Sequence, residues 1–213
     1  MTRVADPPFE TDRGDSHVHG VLLAAGRSSR YGTANKLLDT VDGQPIVRHA
    51  LDSLVAGGVD DVLAVVGYEA DRVEGVLGDT EVVRNDDWQD GIGTSVALGA
   101  RKAAATDADA AVFALGDMPW VDPASVAALL DAFDADSGSV LAAAYQGQRG
   151  NPVLFDRAHF ESLAALDGET GGAAVFEMAD DAALVETGDP GVCRDIDEPG
   201  DLDTGRRERQ QDS

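Results

Sequence analysis

The stretch Leu22-Leu23-Ala24-Ala25-Gly26-Arg27-Ser28-Ser29-Arg30-Tyr31-Gly32-Thr33-Ala34-Asn35-Lys36 gathers the residue types that a polyphosphate needs. Small side chains let the backbone come close to a ligand, and successive N–H groups can then point at phosphate oxygens. Arg27, Arg30 and Lys36 add positive charge within the same short span. That clustering stands out because the chain holds 16 lysines and arginines against 40 acids, for a net charge of −24, and Lys36 and Lys102 are its only lysines. Two familiar phosphate loops do not fit. The dinucleotide pattern G-x-G-x-x-G fails after Gly26, which is followed by Arg27 and Ser28. The P-loop pattern G-x-x-x-x-G-K-[ST] fails because Gly32 comes one residue late and is followed by Thr33.

A bound triphosphate brings a need for Mg²⁺, which is usually held by one or two carboxylates together with phosphate oxygens and water. Asp117 is the first candidate. The apolar run Ala110–Leu115 leads straight into Gly116-Asp117-Met118-Pro119, which places one carboxylate at the end of a buried strand. An ordinary turn aspartate is the competing reading. Asp197 is the second candidate. In Asp195-Ile196-Asp197-Glu198-Pro199, strand alternation puts the two aspartates on one face and turns Ile196 to the core, although Asp197 could equally cap a helix starting near Pro199. Two further segments could border substrates. Asn85–Ser95, with Asn85, Gly91 and Ser95, is a polar loop able to read a base or ribose. Gly150–Phe155, with Asn151 and Pro152, should begin with a tight turn near a second substrate.

Elements that would position these residues are legible as apolar runs. Val18–Ala25, Asp61–Gly67, Glu81–Arg84, Ala110–Leu115 and Ser139–Ala144 read as strands buried on both faces. Helical patterns cover Ile46–Ala56, Glu69–Leu77, Thr94–Ala105, Pro123–Phe133, Asp156–Leu166 and Thr170–Ala179. This alternation predicts an α/β fold with a mostly parallel sheet, helices on both faces, and ligands beyond the carboxyl ends of the strands. The acidic, Pro-bearing segment 1–16 and the polar segment 204–213 are expected to be disordered, leaving residues 17–203 as a single domain.

Composition excludes several classes. One cysteine, Cys193, rules out an internal disulfide and a thiolate-cluster metal site. The negative charge argues against nucleic acid and anionic membrane as partners. With no long apolar run and an acidic start, the chain is expected to be cytoplasmic. Abundant aspartate with almost no lysine suggests a protein working in concentrated salt, where self-repulsion is screened within about 3 Å.

The pattern L-A-A-G-x-S-x-R-x-G with a lysine soon after resembles the signature of the MobA-like nucleotidyltransferases. Taken in order, Leu23–Lys36, Asn85–Ser95, Gly116–Pro119, Gly150–Phe155 and Asp195–Asp201 resemble the blocks of the molybdenum cofactor cytidylyltransferases, the MocA-like branch of that family. The resemblance implies a three-layer α/β/α sandwich of the nucleotide-diphosphosugar transferase type, which is Rossmann-like. It also implies transfer of a nucleoside monophosphate from an NTP to the terminal phosphate of the molybdopterin cofactor, releasing pyrophosphate, with a molybdoenzyme as the eventual recipient. By matching position, Leu23, Ala24, Ala25 and Gly26 would hold the base, while Arg27, Arg30 and Lys36 would bind the triphosphate. Asp117 and Asp197 would bind Mg²⁺, Asn85, Gly91 and Ser95 would contact base or ribose, and Asn151 and Pro152 would lie near the acceptor. Ala24-Ala25-Gly26 favours CTP over GTP. The chain departs from the pattern at Asn151, where Gly-His-Pro is common, and at Gly168–Ala173, which lacks the usual basic residue. A sugar-phosphate nucleotidyltransferase and a non-catalytic cofactor carrier are the rival readings, and hydride transfer is disfavoured by the missing dinucleotide pattern.

Overall fold

A computed structural model describes residues 2–9, 14, 16–27, 31–32, 34–198 and 200–202. Its centre is β2 (Val18–Ala24), flanked in parallel by β5 (Asp61–Val66) and β7 (Ala110–Leu115). β6 (Glu81–Arg84) extends the sheet beyond β5. On the other side, β9 (Gln148–Asp156) runs antiparallel between β7 and β8 (Val140–Tyr145), followed by β10 (Ala183–Glu186) and β1 (Arg3–Ala5). The order is β1-β10-β8-β9-β7-β2-β5-β6, and β3 (Thr40–Val41) and β4 (Gln44–Pro45) form a separate small hairpin.

The strands alternate their apolar side chains between two helical layers. Leu22, Ala24, Ala64, Val66, Val112 and Ala114 pack with α1 (Ile46–Gly57), α2 (Ala70–Leu77) and α4 (Pro123–Asp134). Val21, Val65, Ala111, Phe113 and Phe155 pack with α3 (Ile92–Ala104), α5 (Phe160–Ala164) and α6 (Ala173–Met178). Burial on both faces explains why the central strands are nearly continuous in apolar residues. The result is the expected three-layer α/β/α arrangement with a mostly parallel sheet.

Several sequence expectations change. Arg3–Ala5 lies in the segment expected to be disordered, yet it pairs in parallel with β10 and buries Ala5. It covers an edge that would otherwise expose unpaired backbone groups. Gly150–Phe155 does not begin with a turn. It lies inside β9, and the turn comes earlier at Gln146 and Gly147, with φ of 52° and 76°. Two consecutive positive φ values make the primed hairpin turn that suits strand twist, and Gln-Gly signals it more weakly than Asn-Gly. Asp156 therefore ends a strand, and the helix expected from there is only Phe160–Ala164, preceded by a 3-10 turn at Arg157–His159. β10 is too short to announce itself by periodicity. Residues 204–213 lie outside the described residues.

Candidate active site

The chain leaves β2, builds β5 and β6 on one side, and returns through α3 to β7 on the other side of β2. The crevice where strand order reverses, at the carboxyl ends of β2 and β7, is where open α/β sheets bind ligands. A cleft of about 420 Å³ opens there. Pairing of Leu23 with Leu115 is continued by a hydrogen bond from Gly116 N to Leu23 O at 2.9 Å, so Asp117 emerges beside the glycine-rich loop. Gly116 permits this approach, because a Cβ there would sit 3.1 Å from Leu23 O.

Three distant segments meet at Lys36. Its ammonium lies 2.7 Å from Asp117 Oδ2 and 3.5 Å from Asp197 Oδ1, and it donates to Ile196 O at 2.5 Å. Lys36 is only 9% exposed, so these contacts engage a cation withdrawn from bulk water. Asn35 sets its backbone by capping the short 3-10 turn Lys36–Leu38, accepting from Leu37 N at 3.1 Å. The late segment is held from both sides. Ile196 N donates to Asp117 O at 3.0 Å, and Asp201 accepts from the backbone N–H groups of Asp197 and Glu198 at 2.9 and 2.8 Å. Asp195–Asp197 forms no strand, but Ile196 is fully buried, as expected. It packs with Tyr31, Val41 and Ile46, with Trp120 and Leu202 alongside, in a small cluster tying the loop, the residues after Asp117 and the late segment together. Pro199, where a helix capped by Asp197 was expected to start, lies outside the described residues. Tyr31 anchors its end of the cluster by donating to Asp39 Oδ2 at 2.7 Å; burial, then that bond, push its phenol up from its ordinary value.

Burial pushes the Asp117 carboxyl up, against the opposing pull of the Lys36 ammonium. Its second oxygen, Oδ1, is buried and has no hydrogen-bond partner. A carboxylate oxygen in that condition is costly unless a cation or donor meets it. Asp117 and Asp197 both line the cleft. Two carboxylates, one with an unmet oxygen, form a donor set that suits Mg²⁺, whose remaining ligands would be phosphate oxygens and water. Among the described residues no group of three or more His, Cys, Asp or Glu could hold a metal by itself, so the site is no all-protein cage.

Most of the expected contact residues reach the cleft. Leu23, Ala24, Ala25, Gly26, Arg27, Lys36, Gly91, Ser95, Asp117 and Asp197 line it. Arg30 lies outside the described residues. Asn85 is not in the wall: it is buried, its amide donates to Thr94 Oγ1 at 2.8 Å and Ser95 Oγ at 2.9 Å, and its Oδ1 accepts from Asp87 N at 3.0 Å. These bonds hold the loop and fix the position of Ser95. Asn151 and Pro152 line a separate niche of about 10 Å³ with Ser53, Met118 and Val121, and Leu115 is the wall shared with the main cleft.

Sequence reasoning missed Leu37, Trp88, Gln89, Ile92, Leu115 and Glu169 in the lining. The glycines near them were the available signal. Gly91 has φ +115°, and a Cβ there would lie 2.2 Å from Gly168 O; Gly93 N donates to the same oxygen at 2.9 Å. These contacts dock the 167–170 loop on the entrance to α3 and bring Glu169 to the rim.

Comparison with known proteins agrees with this geometry. The MobA-like NTP transferase domain matches residues 20–184. The nicotine blue oxidoreductase of Paenarthrobacter nicotinovorans is 32% identical over 191 residues, covering 84% of this chain and 92% of that protein. A nucleotidyl transferase from Methanothermobacter thermautotroptrophicus (Mth528) superposes with a TM-score of 0.78 at 25% identity, over 94% of this chain and 100% of that one. Rv0371c from Mycobacterium tuberculosis H37Rv gives a TM-score of 0.78 at 27% identity, over 89% of this chain and 96% of that one. The same protein in complex with manganese gives 0.68 at 26% identity, over 92% and 97%. Family match, shared fold and a cleft at the strand-order reversal together show that the chain belongs to the MobA-like NTP transferase domain family and is an enzyme of the nucleotidyltransferase type.

Proposed function

We propose that this protein transfers a nucleoside monophosphate, CMP in preference to GMP, from an NTP to the terminal phosphate of the molybdopterin cofactor. The observation that carries the reading is the meeting of Lys36, Asp117 and Asp197 beside the Leu23–Arg27 loop. In the transfer, an oxygen of the acceptor phosphate forms the new bond to the α-phosphorus. The bond from that phosphorus to the β-phosphate breaks, and pyrophosphate leaves with the electron pair. The acceptor phosphate, with a second pKa of about 6, is already largely dianionic at neutral pH and needs no general base. The chain's part is alignment and charge neutralisation. The Leu23–Gly26 backbone holds the base, and Arg27 and Lys36 bind the triphosphate, Lys36 also balancing charge beside the carboxylates. Bound at Asp117 and Asp197, Mg²⁺ would neutralise phosphate oxygens during transfer. Arg30 belongs to the same set by position in the loop.

Ala24-Ala25-Gly26 supports CTP, and the acceptor assignment rests on the order of the sequence blocks. The test is pyrophosphate release in molar potassium chloride with Mg²⁺ and molybdopterin cofactor, CTP against GTP, with Asp117→Ala as the blank. Release with CTP that vanishes in the variant is the expected result. Preference for GTP moves the enzyme to guanylyl transfer. Release only when a sugar phosphate replaces the pterin identifies that acceptor class, and nucleotide binding without turnover on any acceptor favours a cofactor carrier. One observation favours a reading of another class: a relative 32% identical over most of the chain is a nicotine blue oxidoreductase. Reduction of nicotine blue by an added two-electron donor, with no pyrophosphate released from any NTP, would establish that chemistry instead.

A further inference from the structure

We propose that Trp88 is the platform on which the nucleobase stacks, an inference that rests on the nucleotidyltransferase reading. Trp88 opens the 3-10 turn Trp88–Asp90 between β6 and α3, and it is the aromatic side chain of the cleft among the described residues. The fold prepares its position. A Cβ at Gly67 would lie 2.6 Å from Trp88 Cβ and 2.9 Å from Ala25 O, so only glycine admits the indole this close to the end of β2. Tyr68 supports the ring from the side, with centroids 5.4 Å apart and planes inclined by 59°. Tyr68 is itself fixed by its N–H donating to Ala25 O at 3.0 Å, and the Arg27 guanidinium lies 5.6 Å from its ring centroid. Trp88, Tyr68 and Arg27 thus form a row of contacts running from the α3 side of the cleft to the glycine-rich loop.

Strand order supplies the second argument. Trp88 follows β6 and Asp117 follows β7, on opposite sides of β2. The indole itself packs beside Gly67 at the end of β5, two strand spacings from β7, roughly 10 Å at the usual sheet repeat. A nucleotide with its phosphates at Lys36 and Asp117 therefore reaches toward Trp88 with its base. Gln89 and Ser95 line the same part of the wall and can meet the base edge, while the indole meets its face. Stacking is tolerant of base identity, so Trp88 contributes affinity for either nucleotide and leaves the choice between CTP and GTP to the edge contacts.

The chain has two tryptophans, Trp88 and Trp120, so Trp120→Phe leaves Trp88 as a single fluorescent reporter. The experiment titrates that variant with CTP, GTP and inorganic tripolyphosphate in Mg²⁺ and molar potassium chloride. Calorimetry on the otherwise unaltered chain and on Trp88→Leu and Trp88→Phe provides affinities independent of the reporter. Both nucleotides should quench the emission, and tripolyphosphate should bind without quenching. Trp88→Leu should weaken CTP roughly tenfold, raise the KM for the nucleotide with little change in kcat, and leave tripolyphosphate binding unchanged, while Trp88→Phe retains most of the affinity. Nucleotides that bind by calorimetry without quenching, or with equal affinity for Trp88→Leu, overturn the platform and leave the transferase reading standing. Failure of either nucleotide to bind at all overturns both.

Discussion

Replacing Lys36 with methionine keeps the aliphatic stem and removes the charge, leaving Asp117 and Asp197 without their shared cation. Breaking a buried pair by deleting one partner costs about 3–5 kcal/mol. The Asp197 contact adds little, because that side chain is 43% exposed and water screens it. The Asp117 contact, with a side chain 21% exposed, carries most of the effect, together with the lost bond to Ile196 O. A loss of about 3 kcal/mol at neutral pH is therefore expected, which lowers the melting temperature by roughly 6–12 °C for a chain of this size. The loss depends on pH in a definite direction. A carboxyl whose folded pKa is raised stabilises the fold while protonated, and that contribution disappears as the pH rises through the folded value. Asp117 is raised by burial, and Lys36 opposes the rise. Without Lys36 the rise is larger, so the variant's deficit is greatest at neutral pH and narrows as the pH falls toward the ordinary carboxylate value of 3.8. Thermal unfolding of wild type and Lys36→Met, followed by circular dichroism in molar potassium chloride at both pH values, measures the difference. Millimolar Mg²⁺ should stabilise the variant more than the wild type, because the metal no longer competes with the ammonium for the carboxylates. An equal deficit at both pH values, with no extra stabilisation by Mg²⁺, would refute the reasoning.

Three other outcomes can be measured on the same material. Gly91→Ala should cost more than about 1 kcal/mol and weaken nucleotide binding, since φ is +115° and the added methyl would meet Gly168 O; an unchanged melting temperature would contradict that packing. His19 is buried, with Nδ1 unpartnered, and burial lowers its pKa against the pull of Asp61 and Glu81, with His17 acting in the same direction as burial. Its contribution to stability is present above the unfolded value of 6.5 and fades as the pH falls below it, so His19→Leu should flatten the stability profile there, which denaturant titrations at successive pH values would reveal. Finally, a net charge of −24 predicts that the unfolding midpoint rises with potassium chloride well beyond the salt needed to saturate ordinary screening; a flat profile would remove the high-salt reading.

Much of the architecture was legible because it is written in local pattern. The runs at Val18, Asp61 and Ala110 are apolar on both faces, and only a sheet covered by helices on both sides accommodates that. The helical pattern from Pro123 begins where the structure starts α4, behind Asp122, whose side chain accepts from Ala124 N at 2.8 Å. The pieces that escaped depend on partners far away in sequence. Arg3–Ala5 is a strand only because β10 offers an edge, and the Gly150 stretch is a strand because β7 and β8 pair with it, Gly150 itself leaving room for Val192 O, which a Cβ would meet at 2.1 Å. Trp88 reads as one aromatic residue in a polar loop until Gly67 and Tyr68 are seen beside it.

The chemical inventory of the site was likewise present in the chain by itself. A loop of small residues with scarce cations, and one aspartate following a buried strand, are local facts, and local facts are enough to suggest a polyphosphate and a divalent metal. Asp197 could be named as a second candidate from the sequence, but whether it reaches Asp117 was not a local fact. Only the tertiary structure brings Asp197 across 161 residues to Lys36, through the burial of Ile196 and its backbone bond to Asp117. It also turned Asn85 inward and moved Trp88, Gln89 and Glu169 to the cleft wall. Residue type sets what a side chain can do, but its partners are chosen by packing between segments whose separation in sequence carries no information about their separation in space.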